Sequence, residues 1–245
     1  MHRSTPQNSP EEILFPGLRP APIGFPPPPQ SPETIREWDR RAIEEFGIPG
    51  IVLMECAGRA AAAILQAEFA EPFAVFSGPG QNGGDGFVVA RCLSNAGLSV
   101  EAFVFEGVAY RPESDAGKNL EILRRAGLEP VALAAADVPG RVESAIRRGT
   151  VVDALFGTGL ARPLGSPYRD LVEAWNRAGA TVVSIDVPSG LDAETGEILG
   201  SAVRAAFTIT FAAAKVGFFR ARGPEVCGRV RVVDIGIPRA LWGSR

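Results

Sequence analysis

From residue 73 onward, short and nearly continuous apolar runs alternate with longer stretches in which apolar residues recur every three to four positions. The runs cover residues 73–76, 100–105, 131–133, 150–156, 181–187, 206–211 and 230–235. Runs that lack a polar face belong to strands covered on both sides, and helical spacing at 85–96, 113–126, 138–148 and 168–178 supplies the covering helices. This order predicts an α/β fold: a Rossmann-like three-layer αβα sandwich around a mostly parallel central sheet. An N-terminal helical segment precedes it. Ser31-Pro32-Glu33-Thr34 resembles a capping box and opens a helix to about Phe46, closed by Gly47. The alanine-rich run 51–69, with Leu53, Ala57, Ala60 and Ile64 at helical spacing, predicts a second, well-buried helix.

Proline changes the picture at the start of the chain. Ten of the 21 prolines fall in residues 1–32, so 1–31 is read as an extended or disordered tail and 32–245 as one domain. A chain of 245 residues, 46% hydrophobic, suits a single α/β core. The net charge of -3 and the short basic pairs Arg40-Arg41, Arg124-Arg125 and Arg147-Arg148 argue against nucleic acid as a partner. No apolar stretch approaches the ~20 residues of a membrane span, and prolines interrupt any signal-like segment, so no membrane is expected. Cys56, Cys92 and Cys227 are too far apart for a Cys-x-x-Cys site, which points to a reducing cytoplasm.

The residue census narrows the chemistry. His2, in the tail, is the only histidine, which removes Ser-His-Asp and Cys-His nucleophilic arrangements and histidine-ligated metals. Acid-base work falls to carboxylates, lysine, tyrosine or cysteine. Of 25 basic residues only Lys118 and Lys215 are lysines, and Lys215 sits in an apolar segment, where a compact ammonium has a different use from a guanidinium.

Doubly wound sheets bind ligands at the carboxyl ends of their strands, and four predicted ends carry unusual residues. The first reads Ser77-Gly-Pro-Gly-Gln-Asn-Gly-Gly-Asp-Gly86, read as a glycine turn before a helix, where positive φ and the lack of Cβ admit a phosphate-bearing ligand. Gly78, Gly80 and Gly83 match the G-x-G-x-x-G spacing, with the acidic Glu106 after the next run. Asp85, expected in the first helical turn, opposes a pyrophosphate there and disfavours a dehydrogenase, and Asp85-Gly86 stands where a P-loop needs Lys-Ser/Thr. The second end runs from Asp153 through Gly157-Thr-Gly159 to Pro163. The third is Asp186-Val-Pro-Ser189-Gly190, a carboxylate within an apolar strand that must be paired or face a polar cleft. The fourth is Phe211-Ala-Ala-Ala-Lys215-Val-Gly217, whose lysine either serves a site or extends to the surface.

Together with Gly47-Ile-Pro-Gly-Ile-Val-Leu-Met-Glu-Cys-Ala-Gly-Arg59, these four motifs closely resemble the NAD(P)H-hydrate epimerase family, in the family's order and from about residue 33 to about 238. Gln81 stands where the family has asparagine, and so does Cys56. The resemblance implies an isomerase, commonly a homodimer, that interconverts the R and S epimers of NADHX and NADPHX. These are damaged cofactors hydrated at carbon 6 of the nicotinamide ring, and a separate dehydratase repairs the S form. By motif, Gln81, Asn82, Gly83, Gly84, Asp85, Gly157, Thr158, Gly159, Leu160, Ala161, Arg162, Pro163 and Asp186 line the ligand. Asn82, Asp153 and Ser189 hold a potassium ion, and Asp186 and Lys215 are the candidate acid-base machinery. A non-enzymatic nucleotide-binding or scaffold module of the same fold is the alternative.

Overall fold

The computed structural model describes residues 26–137 and 149–243; the helix expected at 138–148 and most of the proline-rich tail lie outside them. Two helices come first, α1 (Pro32–Glu44) and α2 (Gly50–Glu68). Then follow β1 (Phe73–Ser77), α3 (Gln81–Asn95), β2 (Val100–Phe105), α4 (Asp115–Arg125) and β3 (Val131–Leu133). The second half runs β4 (Thr150–Ala154), α5 (Tyr168–Ala178), β5 (Val182–Ile185), β6 (Phe207–Phe211), the short α6 (Gly223–Val226) and β7 (Arg229–Val233).

The strands form one sheet in the order β3-β2-β1-β4-β5-β6-β7, and every neighbouring pair is parallel. The chain winds outward from β1 in one direction and resumes at β4 in the other, so the switch point lies between the ends of β1 and β4. The glycine motif follows β1 and the Asp153 motif ends β4, which places both at this crevice. Alternation within each strand divides the core. Phe73, Val75, Val152, Val183 and Ile185 pack with α1 to α4 on one face. Ala74, Phe76, Val151 and Val182 pack with Leu171, Val172 and Trp175 of α5 on the other.

The start of α1 follows from its sequence: the Ser31 side chain accepts a hydrogen bond from the Thr34 N–H, Pro32 opens the first turn, and Gly47 (φ 69°) takes the chain out of the helix. The packed chain begins before Ser31. Pro27 is buried, and Gln30 bridges to Lys215, with the Gln30 N–H donating to the Ala214 carbonyl at 2.8 Å and the Val216 N–H to the Gln30 carbonyl at 3.0 Å. This strap holds α1 over the carboxyl ends of the strands.

Two expectations need correction. The 19-residue α2 is long and apolar enough, by length and composition, to cross a membrane. In the structure its stripe Leu53, Met54, Ala57, Gly58, Ala61, Ala62 and Leu65 is buried in the core instead. Second, α3 begins at Gln81, so the first helical turn lies inside the glycine motif and Asp85 falls in the second turn. Gly78, Gly80, Gly83, Gly84 and Gly86 all lack positive φ, and four of the five are required by close packing. A Cβ on Gly78 would lie 1.8 Å from the Leu155 carbonyl oxygen, on Gly83 1.9 Å from that of Gly78, and on Gly84 2.7 Å from Met54 Sδ. Only at Gly80 is there open space.

Gly78→Ala therefore forces β4 away from the loop and is expected to cost about 1–3 kcal/mol, as overpacking does. Gly80→Ala should leave stability within about 0.5 kcal/mol of the parent, as an unstrained surface change does. Urea unfolding of the two variants checks the contrast.

Candidate active site

The four strand ends converge on one cavity of about 540 Å³. Its wall takes Gly80, Gln81, Asn82 and Asp85 from the first motif, Gly157, Thr158, Gly159 and Leu160 from the second, Asp186 from the third, and Phe211, Ala212 and Lys215 from the fourth. Ile35, Arg36, Asp39 and Ile43 of α1 and Leu53, Met54 and Ala57 of α2 close the far side. Gly83 and Gly84 are turned into the packing between helices, while Ala161, Arg162 and Pro163 are exposed and lie outside this wall. Glu106 and Cys56 are also outside it; Cys56 packs against the apolar core.

Lys215 is fully buried. Its ammonium donates to Asp186 Oδ1 at 2.5 Å, Thr210 Oγ1 at 2.8 Å, the Phe211 carbonyl at 3.1 Å and the Ala213 carbonyl at 3.4 Å. A buried ammonium needs a counter-charge and a full set of acceptors, and this lysine has both. Asp186 stands just past β5 at φ 67°, a left-handed conformation that aspartate tolerates better than most residues, with its N–H on the Ile209 carbonyl at 2.7 Å. That turn sends its carboxylate sideways to the end of β6. Gly157 is required beside it, because a Cβ there would stand 2.7 Å from Asp186 Oδ2.

Asp153 is fully buried. Its Oδ1 accepts from the Ser189 hydroxyl at 2.6 Å and the Leu155 N–H at 3.2 Å. Oδ2 accepts from the Ser189 N–H at 2.9 Å and the Ser184 hydroxyl at 2.8 Å. Burial raises its pKa and these bonds pull it back down. Asp153 and Ser184 are register partners on β4 and β5, so the sheet itself sets their contact. Nearby, both polar atoms of the Asn82 side chain are buried without a hydrogen-bond partner. Gly80 gives α3 no side-chain cap, which leaves the N–H groups of its first turn for an anion.

Asp39 was not among the expected site residues. It lies on α1 at i+4 from the buried Ile35 and next to the buried Trp38, so it falls on the inward stripe of an amphipathic helix. A carboxylate on that stripe is the signal that marks it. Neither the Asp39 nor the Asp85 side chain has a hydrogen bond or ion pair to a described residue. Burial first, then the Asp186 charge, raises the Asp39 pKa to about 6, against the opposing pull of Lys215. The same two causes, with Asp39 added, hold Asp85 well above the usual carboxylate range.

A carboxyl whose folded pKa is raised favours the folded state while protonated, and that contribution is lost as pH rises through the folded value. Asp39→Asn is therefore expected to melt above the parent at pH 8, with the gap closing toward pH 4 as the pH falls through the window from about 6 to 3.8. Thermal unfolding across that range measures it; a gap that is constant with pH would contradict the assigned environment.

A family profile described as YjeF-related protein N-terminus matches residues 50–217. The chain is 38% identical over 215 residues to a NAD(P)H-hydrate epimerase of Rhodopirellula baltica, covering 87% of this chain and 86% of that one. It is 38% identical over 205 residues to a protein of the same name from Weissella koreensis, covering 83% and 89%. A bifunctional NAD(P)H-hydrate repair enzyme Nnr of Thermofilum pendens is 42% identical over 212 residues; this chain matches 40% of its length, as it does for other bifunctional relatives. Among solved structures, a yeast protein, YNL200c, superposes with a TM-score of 0.69 over 89% of this chain and 94% of that one at 24% identity, which supports the fold. On its match over residues 50–217 and its likeness to stand-alone relatives along nearly their whole length, the chain belongs to the YjeF-related N-terminal family.

Proposed function

We propose that the protein is a NAD(P)H-hydrate epimerase that interconverts the R and S forms of NADHX and NADPHX. The observation that carries this reading is the buried Lys215–Asp186 pair in the wall of an apolar cavity, beside a helix start open to anions, in a chain that matches 86% of the length of a relative named NAD(P)H-hydrate epimerase. A damaged nicotinamide nucleotide has the matching parts. Its phosphates suit the first turn of α3. Its uncharged ring suits Leu53, Met54, Phe156 and Phe211, which limit access of bulk water.

The chemistry needs a proton delivered and one removed. Carbon 6 carries the ring nitrogen and the hydroxyl. Protonating the hydroxyl lets water depart as the nitrogen lone pair forms a C=N bond, and water returning from the opposite face, with loss of a proton, inverts the centre. Asp186 is our acid-base group. Lys215 fixes its rotamer, and Thr210 and two carbonyls in turn hold Lys215.

The family resemblance also implies potassium, and the donor set suits it. Hard cations take oxygen ligands, and the unpartnered Asn82 amide, the Ser189 hydroxyl and the Asp153 carboxylate offer them. The Phe156 carbonyl, already in contact with the Ser189 hydroxyl at 3.2 Å, is a fourth. A bound cation would supply positive charge that offsets Asp153 and ties the two glycine loops together. We further read the protein as a homodimer, supported by the exposed apolar Ile43 of α1, Phe46 of the connection and Val52 of α2, and as feeding an S-specific dehydratase. Three unpaired cysteines support a cytoplasmic setting.

Incubation with R-NADHX and an S-specific dehydratase tests the function: the protein should speed clearance of the R form, and unchanged clearance would favour a binding module. Asp186→Asn should lower the epimerisation rate by about 10²–10⁴-fold, the range for an acid-base group, while the variant stays folded. For the cation, KCl should raise the melting temperature above that in tetramethylammonium chloride of equal ionic strength, and Asn82→Ala should abolish the difference.

A further inference from the structure

Inversion at carbon 6 uses both faces of a flat ring, so a proton has to be handled on each. Asp186 and Lys215 stand on the sheet edge and serve one side. The cavity wall opposite is built by α1 and α2, and α2 brings only Gly50, Leu53, Met54 and Ala57 to it. Asp39 is the one carboxyl that α1 contributes there, on a helix anchored by Ile35, Trp38 and Ala42 in the core and by the Gln30 strap against Lys215. Its carboxyl is bonded to no described residue. Lys215 spends its donors on Asp186, Thr210 and the Phe211 carbonyl, which leaves Asp39 without a neutralising contact.

Resting on the epimerase reading, we infer that Asp39 is the second acid-base residue of the reaction, acting on the ring face opposite Asp186. In one direction the Asp39 carboxyl gives its proton to the departing hydroxyl, the C6–O bond breaks and water leaves as the ring nitrogen closes the C=N bond. A second water then adds from the Asp186 side, the new C6–O bond forms and its proton passes to the Asp186 carboxylate. Asp39 is left ionised and Asp186 protonated, which is the starting arrangement for the opposite epimer; the reverse reaction, or exchange with solvent, resets the pair.

The surroundings of Asp39 fit an acid that ionises near neutrality. Asp186 from the end of β5, Lys215 from the loop after β6 and Asp85 from α3 act on it electrostatically, and Asp115 of α4 and Arg36 of its own helix line the same cavity. Burial and Asp186 make Asp39 a better proton holder, to a pKa of about 6, and the same causes hold Asp85 well above the usual carboxylate range. The partnerless Asn82 side chain in the same wall independently marks this cavity as one built for a ligand.

The test is the pH profile of kcat and KM for R-NADHX epimerisation, corrected for the uncatalysed rate, in the parent, Asp39→Asn and Asp39→Glu. Asp39→Asn should lower kcat about 10²-fold or more with KM within about threefold, and should lose the decline of kcat on the alkaline side. Asp39→Glu should restore part of kcat together with that decline. An Asp39→Asn protein that keeps kcat within about threefold, or that loses kcat while keeping the alkaline decline, overturns the assignment. Failure of the epimerase reading looks different: the parent itself leaves the R form at the uncatalysed rate.

Discussion

Everything at the carboxyl edge of this sheet is arranged around one buried ammonium. A lysine in the interior is costly unless it meets an opposite charge and enough acceptors, and the fold supplies these from three directions. Asp186 adopts a left-handed backbone to reach it, Thr210 offers its hydroxyl from within β6, and the Phe211 carbonyl turns inward past the strand end. The strap at Gln30 then pairs with the backbone on either side of Lys215, so the lysine also fixes where α1 crosses the strand ends. Loss of this ammonium would disturb the ion pair, the cavity floor and the helix that roofs it.

The glycine motif has a related purpose. Its glycines were read in the sequence as freedom for positive φ, yet the backbone there is ordinary and the glycines are contact surfaces. Gly78 lies against Leu155, Gly83 against Gly78 and Gly84 against Met54, which brings the ends of β1 and β4 and helices α2 and α3 closer than any side chain allows. The closeness carries Asn82 to the side of Gly157 and, through Gly157, to Asp186. Packing and ligand binding are thus served by the same residues, and removing a Cβ matters more here than loosening a turn.

Much of this was legible in the sequence because charge and glycine interrupt apolar runs only where the sheet needs them. Asp153, Asp186 and Lys215 stood out against valine, isoleucine, alanine and phenylalanine, and the structure brings their strand ends to one crevice. The start of α3 was not legible, since Gln-Asn-Gly-Gly has poor helix propensity and tertiary contact with Met54 and Gly78 decides its conformation. Asp39 escaped for a different reason: among Arg36, Glu37, Arg40 and Arg41 it looks like one more solvated charge, and only the phase of the helix separates it. At Gly83 and Gly84 the motif shows a close approach of backbone to Gly78 and Met54, while their N–H groups stand in or next to the first turn of α3.

Epimerisation by these residues requires the reacting carbon to lie between the Asp186–Lys215 pair and α1. A crystal structure of the protein soaked with NADPHX tests that placement most directly. The carbon 6 hydroxyl should stand within about 3 Å of the Asp186 or Asp39 carboxyl, with the phosphates at the first turn of α3. An adenine ring in the cavity, with the nicotinamide ring outside it and beyond reach of both carboxyls, would contradict it.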